Sequence, residues 1–256
     1  MSVTGRLDGT GALITGASSG IGEATAAQLA SEGAVVALVA RRVDRLEALE
    51  QRIREAGGRA VVLEADVTDK SAAESAVQSA VKALGRLDVV VNNAGVMLLG
   101  PVVDAPLEEW QRMVDLNLSG LLYVSHAALP HLLAAAEQQP RRVADLVNVS
   151  SVAGRVARAG SAVYNATKWG VNAFSEAIRQ EVTGRHLRVG LIEPGAVATE
   201  LASHNRPEVL ATINQRFGSI ERLQSEDIAR SVLFMVTQPR HSAVNEILIR
   251  PTEQVG

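Results

Sequence analysis

The sequence predicts an α/β fold: a doubly wound, seven-stranded parallel sheet in a single domain. Short runs of Val, Leu, Ile and Ala alternate with longer segments of helical apolar spacing, as strands joined by crossover helices do. A turn with glycines at Gly16, Gly20 and Gly22 separates the first apolar run from the first helical segment. The 256 residues are 47% apolar but only 3% aromatic. The core must therefore be Ala, Val, Leu and Ile, which suits strands buried on both faces.

Residues 11–15 read as the first strand and residues 23–31 as the first helix, closed by Gly33 at C′. Between them, Gly16, Ser18, Ser19, Gly20, Ile21 and Gly22 make an anion site. Backbone N–H groups and the helix dipole face a pyrophosphate there, and glycines let it approach. The spacing is GxxxGxG, and glycines also punctuate ordinary turns. Its place between a strand and a helix favours a dinucleotide. Residues 34–39 form the second strand, ending at Ala40 where an NAD-binding site usually has an acid for the ribose 2′-OH. Arg41 and Arg42 come next, and guanidinium groups suit a 2′-phosphate, so NADPH/NADP+ is the expected cofactor. The other reading is that both arginines merely begin the solvated helix at residues 43–56.

Gly57 and Gly58 end that helix, and residues 60–64 are the third strand. Asp66 and Val67 follow, where a carboxylate can reach an adenine amine or cap the next helix, residues 71–84. Strand four, residues 88–91, runs into Asn92, Asn93, Ala94 and Gly95. Small residues there let backbone meet a cofactor, and the amides can tie strands together. A long helix covers residues 106–133, with Pro106 in its first turn. Asn117 between leucines, with Gly120 nearby, predicts a local break or bulge, and Pro130 a kink near the end. Residues 134–142 read as an exposed polar connection, and residues 144–150 as strand five, delivering Ser151. Helix 164–183 and strand 188–193 lead to Pro194, Gly195, Val197 and Thr199, the last placed to bond a nicotinamide carboxamide. A mobile substrate lid is expected at about 199–223, then a helix at 227–236 and a last strand at 246–249.

Tyr164 and Lys168 are four residues apart, so on a helix the phenol and ammonium share a face. A neighbouring cation should draw the Tyr pKa down from about 10. Such a Tyr can exchange a proton with a carbonyl or alcohol oxygen, and Ser151 can hydrogen-bond the same oxygen. Alone, the pair also fits an ordinary helix surface, and Asn117 an ordinary buried amide.

Taken together these residues resemble the short-chain dehydrogenase/reductase family. The segment from Thr15 to Gly22, Asn92 through Gly95, Asn117, Ser151, Tyr164 with Lys168, and Pro194-Gly195 occur in that family's order and spacing, from about Leu7 to Thr252. The resemblance implies a Rossmann fold and roles. Tyr164 is the acid/base, Ser151 orients the substrate oxygen, and Lys168 lowers the Tyr pKa and binds the nicotinamide ribose. Asn117 holds a water that extends the proton relay. It also implies hydride exchange with a small-molecule carbonyl substrate, and a homo-oligomer, tetramer or dimer. Residues 96–101, 154–156, 245–247 and 250–252 are similar to clavulanate-type aldehyde reductases, as are residues 39–42 and 222–224. Residues 134–142 and 204–206 depart from that pattern.

The runner-up activity is oxidation of a hydroxy acid or polyol, with Arg155 and Arg158 holding a carboxylate, unless both simply lie in a solvated loop. A non-catalytic dinucleotide sensor need not have kept Asn117, Ser151, Tyr164 and Lys168 together. Net charge is -3 and there is no cysteine, so neither nucleic acid, nor an anionic membrane, nor a Cys-based metal site is expected. The first sixteen residues lack a signal-peptide pattern, and no apolar run looks long enough to span a bilayer, so a soluble cytoplasmic protein is expected.

Overall fold

In a computed structural model of the chain, residues 5–103 and 105–255 are described. The first four residues of the stretch read for a leader lie outside them. Seven parallel strands are β1 (Gly11–Thr15), β2 (Val35–Ala40), β3 (Arg59–Glu64), β4 (Val89–Asn92), β5 (Ala144–Val149), β6 (Leu187–Pro194) and β7 (Glu246–Ile249). Their order is β3-β2-β1-β4-β5-β6-β7. The order reverses between β1 and β4, so a crevice opens at their C-terminal ends, where ligands bind in doubly wound sheets.

The helices are α1 (Gly20–Ser31), α2 (Val43–Glu55), α3 (Lys70–Leu84), α4 (Leu107–Val114), α5 (Leu121–Ala136), α6 (Ala162–Val182), α7 (Pro207–Phe217) and α8 (Ser225–Val236). Strand side chains alternate between two apolar layers. Ala12, Ile14, Val36 and Leu38 pack with α1, α2 and α8. Leu13, Ala37, Val39 and Val90 pack with α3 and α5. Both layers are aliphatic, as the composition requires. Gly33 has φ +96 just beyond the α1 C-cap, the expected left-handed stop.

Three local expectations change. Pro106 is the N-cap of α4 rather than a residue inside its first turn. α5 runs through Pro130 to Ala136, because Ala135 and Ala136 bury against the sheet. The connection at 134–142 is thus only partly exposed. Its Arg141 reaches inward to the Asp145 carboxylate at 2.6 Å, which Arg188 also holds at 2.7 and 3.0 Å. Finally, the continuous helix Leu107–Ala136 is long and apolar enough to cross a membrane by length and composition. In this fold Val124, Ala128 and Leu132 pack in the core beside β4 and β5.

Candidate active site

The turn after β1 is shaped by steric necessity. Gly16 has φ +66, and a Cβ there would lie 2.9 Å from the Ala94 Cα. At Gly22 a Cβ would sit 2.4 Å from the Gly16 carbonyl oxygen. Glycine therefore lets the first turn of α1 pack tightly under the loop, with Ser19, Gly20 and Ile21 at its start lining the crevice. Asn93 fixes the same loop from β4, donating its Nδ2 to the Thr15 carbonyl at 3.0 Å. Asn92 donates to Ser125 and Asn148, each at 2.9 Å, so the expected tying of strands by amides is present.

At the end of β2, Arg42 folds back onto the glycine turn. Its Nε donates to Ser18 at 3.1 Å and its Nη2 to Ser19 at 2.7 Å. Its Nη1 meets Glu200 at 3.0 Å, and Arg45 meets the same carboxylate at 2.7 Å. Arg45 and then Arg42 hold the Glu200 carboxyl down to about 2. Arg41 lies 3.4 Å from Asp66. Asp66 does not cap α3; Asp69 does, accepting from Ala72 N at 2.7 Å. Asp66 instead closes a turn on Thr68 at 3.0 and 2.8 Å. Burial pushes its carboxyl up, but Thr68 and Arg41 outweigh that and leave it below the ordinary range.

The residues expected to transfer the proton come from three elements. Ser151 follows β5 in extended backbone and caps the short turn Val152–Gly154, its Oγ accepting from Ala153 N at 3.1 Å. Tyr164 and Lys168 are on α6, both buried, with Nζ 5.9 Å from the ring centroid. Nζ donates to the Val149 carbonyl at 2.8 Å. Residues Asp115–Gly120 form a π-helical turn between α4 and α5, the bulge expected at Asn117. Asn117 accepts from Val96 N at 2.7 Å and donates to Val96 O at 2.8 Å.

The electrostatics differ from expectation at one point. Burial pushes the Tyr164 phenol up from 10.0, and a hydrogen bond with Ser151 only partly opposes this. Lys168 is lowered from 10.5 to about 8 by burial. Its ammonium is engaged with Val149 rather than with the phenol oxygen, so loss of water governs Tyr164 here.

Ser151, Tyr164 and Lys168 line one cavity of about 410 Å³, whereas Asn117 is buried behind its wall at Val96 and does not border it. It runs from Arg41, Arg42, Asp66 and Val67 past Ser18, Ser19, Ile21 and residues 93–95 to Ser151, Tyr164 and Lys168. Pro194, Gly195, Val197 and Thr199 also border it. The stretch read as a lid is largely helical: a short helical turn Glu200–His204, then α7. Its far end is pinned back by Leu223, which pairs with Ala196 and Ala198 at 3.1 and 2.8 Å. Arg155, read as a candidate carboxylate clamp, is not among the residues lining this cavity. Its guanidinium grips the fully buried Glu193 at 2.7 and 2.8 Å and also Glu246. Glu193 and then Glu246 raise the Arg155 pKa further.

Sequence reasoning passed over several residues. Asn172 joins Ser150 at 2.6 Å to Glu193 at 2.7 Å, directly behind Ser151. A lone acid ending the apolar run of β6 was the available signal. Glu200 and Asn205 on the lid, and Met97 and Leu99 on the pocket wall, carried no local signal.

Comparison with known proteins follows the same lines. A family model described as short chain dehydrogenase matches residues 10–210. A glycine betaine reductase of Emericella nidulans is 40% identical over 251 residues, 98% of this chain. The chain spans 19% of that relative's length. An uncharacterized oxidoreductase of Staphylococcus saprophyticus is 37% identical over 246 residues, covering 94% of this chain and 96% of the relative. Among solved structures, a metagenomic short-chain oxidoreductase in complex with NADP superposes with a TM-score of 0.80 at 34% identity, covering 97% of this chain and 100% of its own. The closed form of a serine dehydrogenase complexed with NADP+ gives 0.87 at 30% identity, over 96% and 97%.

Proposed function

This chain belongs to the short chain dehydrogenase family, and on that premise we propose that it is an NADP(H)-dependent oxidoreductase reducing a small-molecule aldehyde or ketone to an alcohol. The observation that carries the reading is that Tyr164, buried on α6, lines with Ser151 and Lys168 the same cavity as the glycine turn. The residues fit a dinucleotide: Gly16, Ser18, Ser19, Gly20 and Ile21 line the cavity where α1 begins, the kind of helix N-terminus that takes a pyrophosphate. Ala40 offers no acid to a ribose 2′-OH, whereas Arg41 and Arg42 suit a 2′-phosphate. The NADP complexes among the similar structures agree with that choice.

The bound cofactor supplies a hydride at nicotinamide C4. Tyr164 gives its proton to the oxygen of the reduced carbonyl; its raised pKa keeps it protonated at neutral pH, as a general acid requires. Ser151 orients that oxygen. Lys168 is still mostly an ammonium at pH 7, so it favours the phenolate once the proton has left and holds the nicotinamide ribose. Asn117 anchors the loop at Val96 beside Gly95 and carries the relay outward from Lys168. Residues 199–223 serve as the substrate lid of a single domain. An aldehyde is the favoured substrate, on the likeness of residues 96–101 to clavulanate-type reductases. A homo-oligomer fits the exposed apolar Leu107, Trp169, Phe234 and Leu248. NADPH-driven reduction suits the cytoplasm.

The test follows NADPH and NADH absorbance with purified protein over aldehydes, ketones and carboxylate-bearing carbonyls. Turnover with NADPH well above NADH is the expected outcome; none with either cofactor would remove the reading. The second reading, oxidation of a hydroxy acid or polyol, draws on Arg158 in the cavity lining and on the serine dehydrogenase likeness. Loss of Arg155 to Glu193 weakens it. It would be favoured if hydroxy acids with NADP+ outpaced every carbonyl.

A further inference from the structure

Residues 96–99 line the cavity through Val96, Met97 and Leu99, yet belong to no strand. Their backbone groups are taken by two asparagine side chains instead. Asn117, in the π-helical turn, closes both bonds of Val96 at 2.7 and 2.8 Å. Asn205, from the lid, accepts from Leu99 N at 2.7 Å and donates to Met97 O at 2.8 Å. Each amide replaces the donor and acceptor of a missing neighbouring strand. Asn205 is 7% exposed, although Ser203 and His204 before it are exposed. Its Nδ2 also donates to Ala202 O at 2.9 Å, closing the turn that presents it. Next to it, Arg206 pairs with Glu109 at 3.2 Å and so ties the lid to α4.

We propose that Asn205 is a clasp, a positioning residue that fastens the lid to the cavity wall at residues 97–99 and so sets how tightly the carbonyl substrate is held. This rests on the reading of the cavity as a carbonyl reductase site. Only an amide meets the demand of one acceptor and two donors at that length. An aspartate in its place keeps the acceptor for Leu99 but faces two carbonyls without a donor. An alanine leaves the partly buried Leu99 N–H and the Met97 carbonyl without their partner, while the Ala202 carbonyl keeps the backbone N–H of residue 205 at 3.1 Å. Asn205 touches neither Ser151, Tyr164 nor the glycine turn, so its effect should fall on substrate binding and not on chemistry.

The test compares full-length wild type, Asn205→Asp, Asn205→Ala and Tyr164→Phe. The readouts are steady-state kinetics, NADPH binding by fluorescence, Tm, and amide hydrogen exchange. The clasp predicts a KM for the carbonyl raised about tenfold in both Asn205 variants, the effect of one unpaired buried group. kcat and NADPH Kd should stay within about twofold. Exchange at residues 97–99 and 200–205 should quicken about tenfold in Asn205→Ala, while Tyr164→Phe leaves it unchanged. Unchanged exchange and KM would overturn the proposal. So would a joint loss of kcat, NADPH affinity and Tm, which marks general structural damage. If the wild type reduces no carbonyl, the function reading fails, while the exchange result alone still decides the clasp.

Discussion

Replacing Lys168 by Met should stabilise the fold at neutral pH while disabling the site. Lys168 is buried; its ammonium donates to the Val149 carbonyl and lies 5.9 Å from the Tyr164 ring centroid. Burial lowers its pKa from 10.5 to about 8. Each pKa unit corresponds to about 1.4 kcal/mol, so keeping this lysine charged in the folded state costs about 3 kcal/mol below pH 8. Met keeps most of the apolar stem and removes that cost. It gives up one hydrogen bond, worth about 1 kcal/mol. The net gain is about 2 kcal/mol at pH 7. Its pH dependence has a definite sign. Between pH 8 and 10.5 the unfolded chain still holds the proton that the folded chain has released, so wild-type stability from this group rises with pH. The advantage of Lys168→Met therefore shrinks by about 1.4 kcal/mol per pH unit above pH 8. Urea unfolding of both proteins at pH 7, 8 and 9, at one fixed protomer concentration, measures it. A variant less stable than wild type at pH 7, or a gap that ignores pH, would refute the reasoning. A stabilising change at a position proposed to take part in catalysis is what a strained functional site allows.

Other outcomes follow from the same geometry. Arg42→Ala removes the guanidinium on Ser18 and Ser19; it should weaken NADPH binding about 10- to 100-fold and NADH binding less than about threefold, by titration of cofactor fluorescence. Gly22→Ala drives a Cβ to 2.4 Å from a backbone oxygen; calorimetry should show a loss of about 1–3 kcal/mol, together with weaker NADPH binding. Arg155→Met strands the buried Glu193. It should cost about 2 kcal/mol, less than a fully buried pair because Arg155 is partly exposed. Its kinetic effect should be equal for acidic and neutral substrates, and a selective rise in KM for acidic ones would restore the clamp reading.

The sheet was legible because its signal is local and repeated. β1 and β7 fall on the residues expected, and the other strands within a residue or two. The order of glycine turn, Asn117, Ser151, Tyr164 and Lys168 was legible because each residue sits at the edge of an element whose period could be read. Asn117 even announced its π-helical turn, since a polar residue between leucines is out of phase with a regular buried face. What failed depended on the third dimension. The direction of the Tyr164 shift turns on burial, which sequence spacing does not report. Arg155 looked available until β6 and β7 brought Glu193 and Glu246 to it. Glu200 meets Arg42 across 158 positions, and Asn205 meets Leu99 across 106. No local pattern encodes contacts of that range.

The central claim is that Tyr164 delivers the proton in an NADPH-driven carbonyl reduction. The most direct measurement is NADPH oxidation by wild type and Tyr164→Phe on whichever aldehyde or ketone the wild type turns over, with NADPH binding measured on both. The variant loses one hydroxyl from a buried ring and should fold. In the variant kcat should fall by about 100-fold or more, with NADPH affinity within about twofold. A variant with undiminished turnover would take Tyr164 out of the mechanism and contradict the account.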